Sequence, residues 1–368
     1  MNNVIVIHEF GAPEHYYGAQ DFLVKNAGSI KYREFSTPLL VYRALKSRSF
    51  SKMLKAFSDF FYLLFCYLFP SILKGKTVIL GCAPLDWRIC LLKRCLKHSK
   101  IIYHTSWLSW DGSKYPKNIP CLEKYLTKVW KEFLGKSVHH IAAVTPEVKR
   151  QLIENFSVPE YIIQVVYHCF NNEIFKITDD FSNVDINHKQ LNVIFVGRLV
   201  EEKGVREIIS LAQSLPNNKF YIVGKGKLED ELKQAAEKQK NLVFIGYVAN
   251  RDKLAELFRS SDILLQMSKK NSEWEELFGM AIIEAMACGV VPIATDHVGP
   301  NTILSDNEIL CENIVPEDGM IDIVCEKIKY YDTNREYLLK CKNESVKVAD
   351  LYSLPNISKR WSMVLGEK

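Results

Sequence analysis

Residues 275–295, EELFGMAIIEAMACGVVPIAT, combine a turn, a helix and a buried strand in one short stretch. The run from Met280 to Cys288 contains no helix breaker, and Gly289 follows it, a residue favoured just past the end of a helix. The apolar residues 290–295 predict a buried strand. We therefore expect a turn, a helix, a tight turn and a strand in this stretch.

Two carboxylates frame the predicted start of this helix. Glu276 lies in the turn and Glu284 inside the helix, where its apolar neighbours indicate burial and so a need for a polar partner such as a pair of hydroxyls. A helix N-terminus carries partial positive charge and suits an anion. The backbone N–H groups at this point belong to Leu277, Phe278, Gly279 and Met280. The layout favours a ligand with a central diphosphate and hydroxyls at both ends, as in a nucleotide-sugar; two solvated acids on an amphipathic helix are the alternative.

The same stretch resembles the E-x-F-G-x-x-x-x-E-A-M-A-x-G motif of the family 4 retaining glycosyltransferases. The resemblance implies an α/β chain of GT-B fold, with two Rossmann-like, doubly wound parallel-sheet domains facing a central cleft. It also implies roles: Glu276 holds the hydroxyls of the donor sugar, Glu284 holds the ribose hydroxyls, and residues 277–280 contact the donor.

Length and composition fit a two-domain soluble protein. The chain has 368 residues, of which 48% are hydrophobic and 25% charged, enough for two domains of about 170 to 190 residues. We expect a first domain at 1–171, a polar linker at 172–190 and a second domain at 191–352. The helix at 353–368 is expected to return to the first domain, as in GT-B chains.

Cysteine usage and the N-terminus predict a cytoplasmic location. The ten cysteines include no C-x-x-C pair, which favours reduced thiols over a disulfide framework or a zinc site. No signal peptide precedes the strand-like residues 4–7.

Charge is distributed unevenly along the chain. Residues 41–150 hold 20 Lys and Arg against six Asp and Glu, a net charge of +14, so the remainder carries −9 to reach the total of +5. The basic half is either an ordinary solvated surface or attracted to an anionic membrane or acceptor. No nucleic-acid partner is expected.

The most apolar stretch spans residues 56–73. Its uninterrupted part, residues 60–69, is shorter than the roughly 20 residues that a spanning helix requires. A buried or an interfacial helix is expected, and core packing and contact with lipid both stay open.

The first domain carries candidates in two loops. His104 directly follows the carboxyl end of an apolar strand, where doubly wound sheets bind ligands. The resemblance implies that His104 is catalytic and lies beside the reacting carbon of the donor sugar. The alternative is a loop histidine that bonds only to the backbone. Trp107, Trp110 and Asp111 follow as acceptor-side candidates. In the loop at 9–17 the family has a Gly-Gly pair, for which this chain has only Gly18, the donor-binding candidate. The acceptor candidate in that loop is His15, and a merely solvated histidine is the alternative.

The second domain opens with LNVIFVGRLVEEKG at 191–204, a buried strand followed by a turn. Gly197, Arg198 and Lys203 lie where a diphosphate would bind, since Arg offers a planar fork of donors and Lys a point charge. Family members use this pair for the donor diphosphate, and the resemblance places the base near Tyr247 and Val248. The alternative is a surface pair beside Glu201 and Glu202. Gly299-Pro300-Asn301-Thr302 replaces the family's Gly-Gly and acid, so the sugar contacts of this loop are left open.

These residues predict retaining transfer of a hexose-type sugar from a nucleoside diphosphate to a hydroxyl of a glycan acceptor. Fixed cations stabilise the leaving diphosphate, and because no D-x-D motif stands in a metal-binding place we expect neither metal nor cofactor. The acceptor is expected to be a lipid-linked glycan of a surface polysaccharide, O-antigen or capsule, made at the cytoplasmic face of the membrane by a peripheral enzyme. A GT-B sugar-nucleotide epimerase or hydrolase and a non-catalytic scaffold subunit are the alternatives.

Overall fold

The computed structural model describes residues 3–9, 13–46, 49–112, 115, 117–178, 190–272 and 274–366. The chain forms two compact units: unit 1 is Met1–His168 with Ile357–Lys368, and unit 2 is Cys169–Asn356. Unit 1 thus ends three residues before the predicted boundary at 171, and it takes up the chain again at Ile357 rather than at residue 353.

Unit 1 contains, among the described residues, a six-stranded parallel sheet in the order β2-β1-β3-β4-β5-β6. Its strands are β1 (Asn3–His8), β2 (Ser29–Glu34), β3 (Thr77–Gly81), β4 (Lys100–Thr105), β5 (His140–Ala143) and β6 (Ile163–Val165). The first five follow the flavodoxin-like order, in which the chain reverses direction across the sheet between β1 and β3. His8, Gly81 and His104 are lateral partners at the carboxyl ends of three adjacent strands.

Helices surround this sheet. They are α1 (Tyr17–Lys25), α2 (Thr37–Lys46), α3 (Phe50–Leu68), α4 (Ile89–Cys95), α5 (Glu123–Glu132) and α6 (Pro146–Phe156). Thr145 and Pro146 start α6, a pair typical of a helix N-terminus: the Thr145 side chain caps the helix by accepting from the Val148 N–H at 3.3 Å. Trp110 is fully buried against Tyr103 and Trp130, so its candidacy for the acceptor side was wrong and it is a core residue.

Unit 2 contains a second six-stranded parallel sheet within its described residues, in the order β12-β11-β10-β7-β8-β9. Its strands are β7 (Asn192–Arg198), β8 (Lys219–Lys225), β9 (Leu242–Gly246), β10 (Ile263–Gln266), β11 (Val291–Thr295) and β12 (Ile314–Val315). This is the Rossmann order, with the reversal between β7 and β10. The prediction of two doubly wound parallel sheets is confirmed.

The helices of unit 2 follow the strands in alternation. They are α7 (Val205–Ser214), α8 (Glu229–Lys238), α9 (Arg251–Arg259), α10 (Met280–Ala287), α11 (Val298–Leu304), α12 (Met320–Thr333) and α13 (Arg335–Asp350), and α14 (Leu354–Leu365) continues into unit 1. The stretch at 275–295 folds as predicted: α10 ends one residue before Cys288, Gly289 has a φ of +81°, and β11 follows.

The first part of the predicted linker is packed instead of extended. Phe175 is 2% exposed, lies 6.2 Å from the Phe258 ring and carries the Arg251 guanidinium at 4.7 Å. An apolar anchor of this kind keeps residues up to 178 with unit 2. Residues 179–189 of that linker, 10–12 of the first loop and 367–368 of the final helix lie outside the described residues.

In the part of the chain that the structure describes, no helix is long and apolar enough to cross a membrane.

Candidate functional site

One oxygen of the Glu276 carboxylate is held from three sides. Oε2 pairs with the Lys203 ammonium and accepts from Gln266 Nε2 at 2.9 Å and from Ser268 Oγ at 3.2 Å. No group that the structure describes bonds to Oε1 of this side chain, which is 11% exposed. The carboxylate is therefore fixed in orientation through one oxygen and presents the other, an acceptor suited to ligand hydroxyls.

The sheet order brings these partners together. Gln266 ends β10 and Lys203 follows β7, and these strands flank the reversal point, where open α/β sheets bind ligands. Gly204 allows the approach: its φ is +67°, and a Cβ there would lie 2.0 Å from the Met267 carbonyl oxygen. Lys203 also lies over the Trp274 ring, at 4.8 Å. The lysine is buried with Glu276, which excludes the alternative of a surface pair for Lys203.

His297 supports the Glu276 backbone. Its Nδ1 accepts from the Glu276 N–H at 3.3 Å, so the ring proton lies on Nε2, which faces the Ser268 carbonyl at 3.0 Å and Glu317 Oε1 at 3.1 Å. A side chain that is 1% exposed and bonded at both nitrogens has a fixed tautomer. His297 thus holds the turn that carries Glu276 against the loop after β10.

The turn continues into the N-terminus of α10. Gly279 has a φ of +93° and caps the helix without a side chain. The Ile282 N–H bonds to the Gly279 carbonyl at 2.9 Å, which leaves the N–H groups of Met280 and Ala281 for an anion. Phe278 is buried against Tyr352, with 5.7 Å between the rings. Gly299 N–H bonds to the Glu276 carbonyl at 2.9 Å, and a Cβ on Gly299 would lie 2.6 Å from the Phe278 backbone. Gly299, at the start of the divergent Gly-Pro-Asn-Thr segment, thus packs α11 against the turn.

Glu284 is buried on α10, as predicted, but its partner is a side chain. Oε1 pairs with the Arg251 guanidinium, and no described group bonds to Oε2. Burial raises the pKa of Glu284 to about 7, while the charge of Arg251 opposes the rise. The ion pair with Arg251 favours the charged carboxylate, whereas burial favours the neutral acid. Burial has the larger effect, because the Arg251 side chain is 48% exposed and water screens its charge.

Cations and an aromatic ring lie at the carboxyl ends of β7 and β8. Arg198 is exposed and makes no side-chain hydrogen bond or ion pair with any described residue. Lys225, its lateral partner on β8, lies over the Tyr247 ring at 4.2 Å. After β9, Tyr247 is 63% exposed and Val248 is half-buried. Gly197 is half-buried, and a Cβ at this position would lie 2.9 Å from the Phe195 ring. Together with Lys203, these residues give this edge of unit 2 a positive charge.

His104 lies in unit 1, in a cluster of aromatic rings at the carboxyl edge of the first sheet. It is the penultimate residue of β4 instead of following the strand, and its ring centroid lies 4.9 Å from Tyr16, 6.0 Å from Trp361 and 6.2 Å from His15 and His168. Burial first, and then the neighbouring histidines, lower the pKa of His104 well below its usual value. The imidazole is neutral at pH 7.

The other unit 1 candidates lie around this cluster or at its margin. Burial lowers the pKa of His15, and its Nδ1 is buried without a partner. Gly18 is buried under Trp361, whose Cδ1 lies 2.8 Å from an added Cβ, so packing against α14 requires a glycine here. Trp107 is half-buried, and its carbonyl accepts from Trp110 Nε1 at 2.8 Å; Asp111 is exposed.

Sequence reasoning missed several of these side chains. Gln266 and Ser268 carried a detectable signal, because polar residues at the end of a buried strand indicate a ligand edge. His297, Arg251 and Trp274 carried none, since their contacts cross long loops. The same holds for His8 and His168, whose pKa values burial lowers to about 4 and about 3.

Comparison with known proteins finds a family model that matches part of the chain. Residues 176–348 match the model of the family described as glycosyl transferases group 1. An uncharacterized glycosyltransferase of Methanocaldococcus jannaschii is 26% identical over 233 residues, which cover 60% of this chain and 57% of that protein. The chain spans about half the length of the curated relatives it matches.

Solved structures match over nearly the whole length. Anabaena HepE, solved in complex with UDP and glucose, covers 99% of both chains at 14% identity with a TM-score of 0.67. WaaG, a glycosyltransferase involved in lipopolysaccharide biosynthesis, covers 99% of this chain and 100% of its own at 14% identity, with a TM-score of 0.63. Identities this low establish the fold alone. Residues 176–348 are therefore similar to the glycosyl transferases group 1 family, and the chain as a whole has the GT-B fold.

Proposed function

We propose that this chain transfers a hexose-type sugar from a nucleoside diphosphate to a hydroxyl of a glycan acceptor, with retention at the anomeric carbon and without a metal ion. The observation that carries the proposal is the Glu276 carboxylate, with Oε2 fixed by Lys203, Gln266 and Ser268 and Oε1 left for a ligand. A buried ion pair adds little net stability, so we assign this one a use in the site. Binding the donor hydroxyls is that use.

The donor diphosphate binds at the cationic edge of unit 2. Arg198 and Lys203 supply fixed positive charge and the first turn of α10 supplies N–H donors, the groups that stabilise a leaving diphosphate. Glu284 accepts from the ribose hydroxyls, and the segment at Tyr247 and Val248 contacts the base. HepE, solved with UDP and glucose, supports a donor of this class.

The reaction replaces one C–O bond by another on the same face of the sugar. The bond between the anomeric carbon and the diphosphate breaks, the acceptor oxygen bonds to that carbon, and the acceptor proton passes to the leaving phosphate oxygen. Glu276 orients the sugar through its hydroxyls and forms no bond to the carbon. His104 keeps its candidate catalytic role beside the reacting carbon, as a neutral imidazole.

The acceptor we propose is a lipid-linked glycan of a surface polysaccharide, O-antigen or capsule, at the cytoplasmic face of the membrane. The likeness to WaaG, which acts in lipopolysaccharide biosynthesis, supports this class. The excess of 20 Lys and Arg over six acids in residues 41–150 also favours an anionic environment.

The test compares two neighbouring carboxylates in the presence of a panel of nucleotide-sugars. Glu276→Gln removes the charge that Lys203 holds, and we expect the transfer rate to fall about tenfold to a hundredfold, as for one lost charge-assisted contact. Glu275→Gln is the control, because Glu275 pairs with Lys270 at 2.7 Å and not with the site; its rate stays within about twofold.

Equal activity of the Glu276→Gln enzyme and the wild type, with the same donor affinity, would contradict the role of Glu276. Consumption of the donor without transfer to any acceptor would favour the hydrolase or epimerase alternative. A folded protein that binds no nucleoside diphosphate would favour the scaffold alternative. Anomeric NMR of the product decides between retention and inversion.

A further inference from the structure

Helix α3 of unit 1 exposes an apolar face that the proposed chemistry of unit 2 does not use. Eight apolar side chains of this helix are between 39% and 68% exposed. They are Phe50, Leu54, Phe57, Phe60, Phe61, Leu64, Phe65 and Leu68, called here the α3 outer face. At 100° per residue they lie within an arc of about 140°. A continuous apolar surface of this size marks a contact with a partner or a membrane.

The inner side of α3 fixes this orientation with a charge. Asp59 is fully buried, accepts from Arg33 at 2.8 Å and from the Glu34 N–H at 3.2 Å, and lies 3.4 Å from the Lys55 ammonium. The carboxylate thus ties α3 to β2, and rotation of the helix to bury its phenylalanines would expose or break this ion pair. The inner side also buries Ala56 and Cys66 and packs Leu63 on the core. Helix α3 is therefore apolar on both sides, unlike a helix that only covers a core. Core packing, one of the two alternatives for this run, therefore holds for the inner side of α3 and not for its outer face.

An apolar groove continues this face towards α4. It has a volume of about 380 Å³ and is lined by Phe60, Leu64 and Tyr67 of α3 and by Leu91 of α4. A second cavity, of about 810 Å³, lies on the other side of α4 and has an excess of basic residues. Its lining includes Lys93, Arg94, Lys97, Lys128 and Lys136 and one acid, Glu132, which pairs with Lys93 at 3.2 Å. Arg94 connects the two, since its Nε donates to the Tyr67 carbonyl at 2.9 Å.

The charge around the outer face has one sign. Residues 41–76 contain seven Lys and Arg and a single acid, Asp59, which is the buried one. Lys52, Lys55 and Lys74 are exposed. Apolar side chains beside clustered lysines match the interface of an anionic bilayer, where the apolar groups insert between lipid chains and the ammonium groups meet phosphates. A second copy of this chain docked through the same face would bring like charges together, and a neutral or basic peptide helix would gain nothing from the lysines.

We propose that unit 1 docks on an anionic lipid bilayer through the α3 outer face, with the basic cavity behind α4 receiving lipid phosphates. The biological role of this docking rests on the proposed function, because docking would bring the enzyme to a lipid-linked acceptor. The measurement of docking does not rest on that function, because binding to vesicles needs no substrate.

The experiment is vesicle flotation of the full chain, with vesicles of phosphatidylcholine alone or mixed with phosphatidylglycerol. The wild type floats with the anionic vesicles, at least about tenfold more than with the neutral ones, and high salt reduces the binding. The triple variant Leu54→Ser, Phe57→Ser, Phe61→Ser loses at least about tenfold of this binding. Lys52→Glu with Lys74→Glu weakens it at low salt only.

The matched control changes exposed apolar residues of unit 1 outside this face: Val24→Ser, Tyr161→Ser and Met363→Ser, which are 66%, 81% and 52% exposed. It binds vesicles like the wild type. A cooperative thermal unfolding transition, measured without ligand, establishes that every variant is folded. Binding of the first triple variant at the wild-type level overturns the proposal, as does a folded wild type that ignores anionic vesicles.

Two further outcomes separate the docking from the proposed function. Sugar transfer to a short soluble acceptor by a protein that ignores vesicles overturns the docking and leaves the function standing. If the wild type binds vesicles, the α3 variant does not, and the wild type transfers no sugar from any donor, the docking is supported and the proposed function is contradicted. Dimers that dissociate in the α3 variant, together with no lipid binding, would assign the face to a second copy and overturn the proposal.

Discussion

Glu276 is a nearly buried carboxylate whose charge is balanced by a nearly buried ammonium. Both side chains of the Lys203–Glu276 pair are 11% exposed. In such a pair the removal of one partner leaves an uncompensated charge, at a cost of about 3 to 5 kcal/mol, whereas the intact pair adds little net stability. The arrangement thus stabilises a geometry more than it stabilises the fold.

His297 is expected to act on Glu276 through the backbone. In His297→Phe an aromatic ring is kept, but the Glu276 N–H loses its acceptor and the Ser268 carbonyl keeps only Thr295 Oγ1, at 2.6 Å, so the turn is no longer held to the loop after β10. We expect kcat to fall about tenfold while the KM for the donor changes less, because about 1.4 kcal/mol of positioning is lost. Steady-state kinetics measure the split. His297→Asn retains an acceptor near Nδ1 and should recover part of kcat; no recovery would indicate a purely structural role.

Glu284 is expected to make nucleotide binding pH-dependent. Burial raises its pKa to about 7, so the carboxylate that accepts from ribose hydroxyls forms as the pH rises through 7. We expect the affinity for UDP, measured by calorimetry between pH 6 and 8, to increase with pH. Glu284→Gln, which cannot ionise, should show a flat profile. An equally steep profile in the variant would assign the titration to another group.

At the scale of elements, two glycines decide how closely loops approach. Gly204 brings the turn after β7 to the end of β10, and Gly299 brings α11 onto the turn before α10. Each close approach involves main-chain atoms, which cannot move aside as a flexible side chain can. The site therefore requires glycine at these two positions, because any side chain there would clash with the main chain of a neighbouring loop.

Gly299→Ala is expected to displace α11 from the Phe278 backbone, since its Cβ would lie 2.6 Å away. Overpacking of this kind costs about 1 to 3 kcal/mol, and transfer should fall because the displaced turn carries Glu276. Urea unfolding and an activity assay measure both effects. Gly135→Ala is the control: an added Cβ there has no described atom within 4 Å. If the two variants behaved alike, the packing argument would be wrong.

At the scale of the whole molecule, acid acts on the two units in opposite directions. Burial lowers the pKa of His8 to about 4 and that of His168 to about 3 in unit 1. Because the folded histidines bind protons less readily than the unfolded ones, stability is present above about pH 6.5 and is lost as the pH falls towards 4. The raised pKa of Glu284 in unit 2 does the reverse, and its stabilising effect is lost as the pH rises from about 4.5 through 7.

Unit 1 should therefore be the first to unfold on acidification. For His8 alone, the loss at pH 5 is on the order of 2 kcal/mol. Tryptophan fluorescence follows it, because Trp110, Trp130 and Trp361 are all buried in this unit. His8→Gln with His168→Gln should flatten the pH dependence between 7 and 5, whereas His98→Gln, an exposed residue, should not. A wild-type stability of unit 1 that is constant over this range would contradict the assignment.

The sequence by itself determined the local elements and the fold class. Alternating apolar strands and helices, the breaker-free run before Gly289 and the Thr-Pro start of α6 depend on neighbours within a few residues, and a local pattern records such preferences directly. The same patterns placed Glu276, Lys203 and Arg198 beside the ends of strands or helices, where ligands bind.

Only the tertiary structure decided the partners of those residues. Lys203 and Glu276 lie 73 positions apart. The aromatic cluster joins His8 of β1, His104 of β4 and Trp361 of α14. Glu284 has a side-chain partner, Arg251, that the sequence did not predict. The direction in which α3 presents its phenylalanines also depended on the buried Asp59. Such contacts are set by strand order and helix packing, which bring distant segments together and leave no periodic signal in the chain.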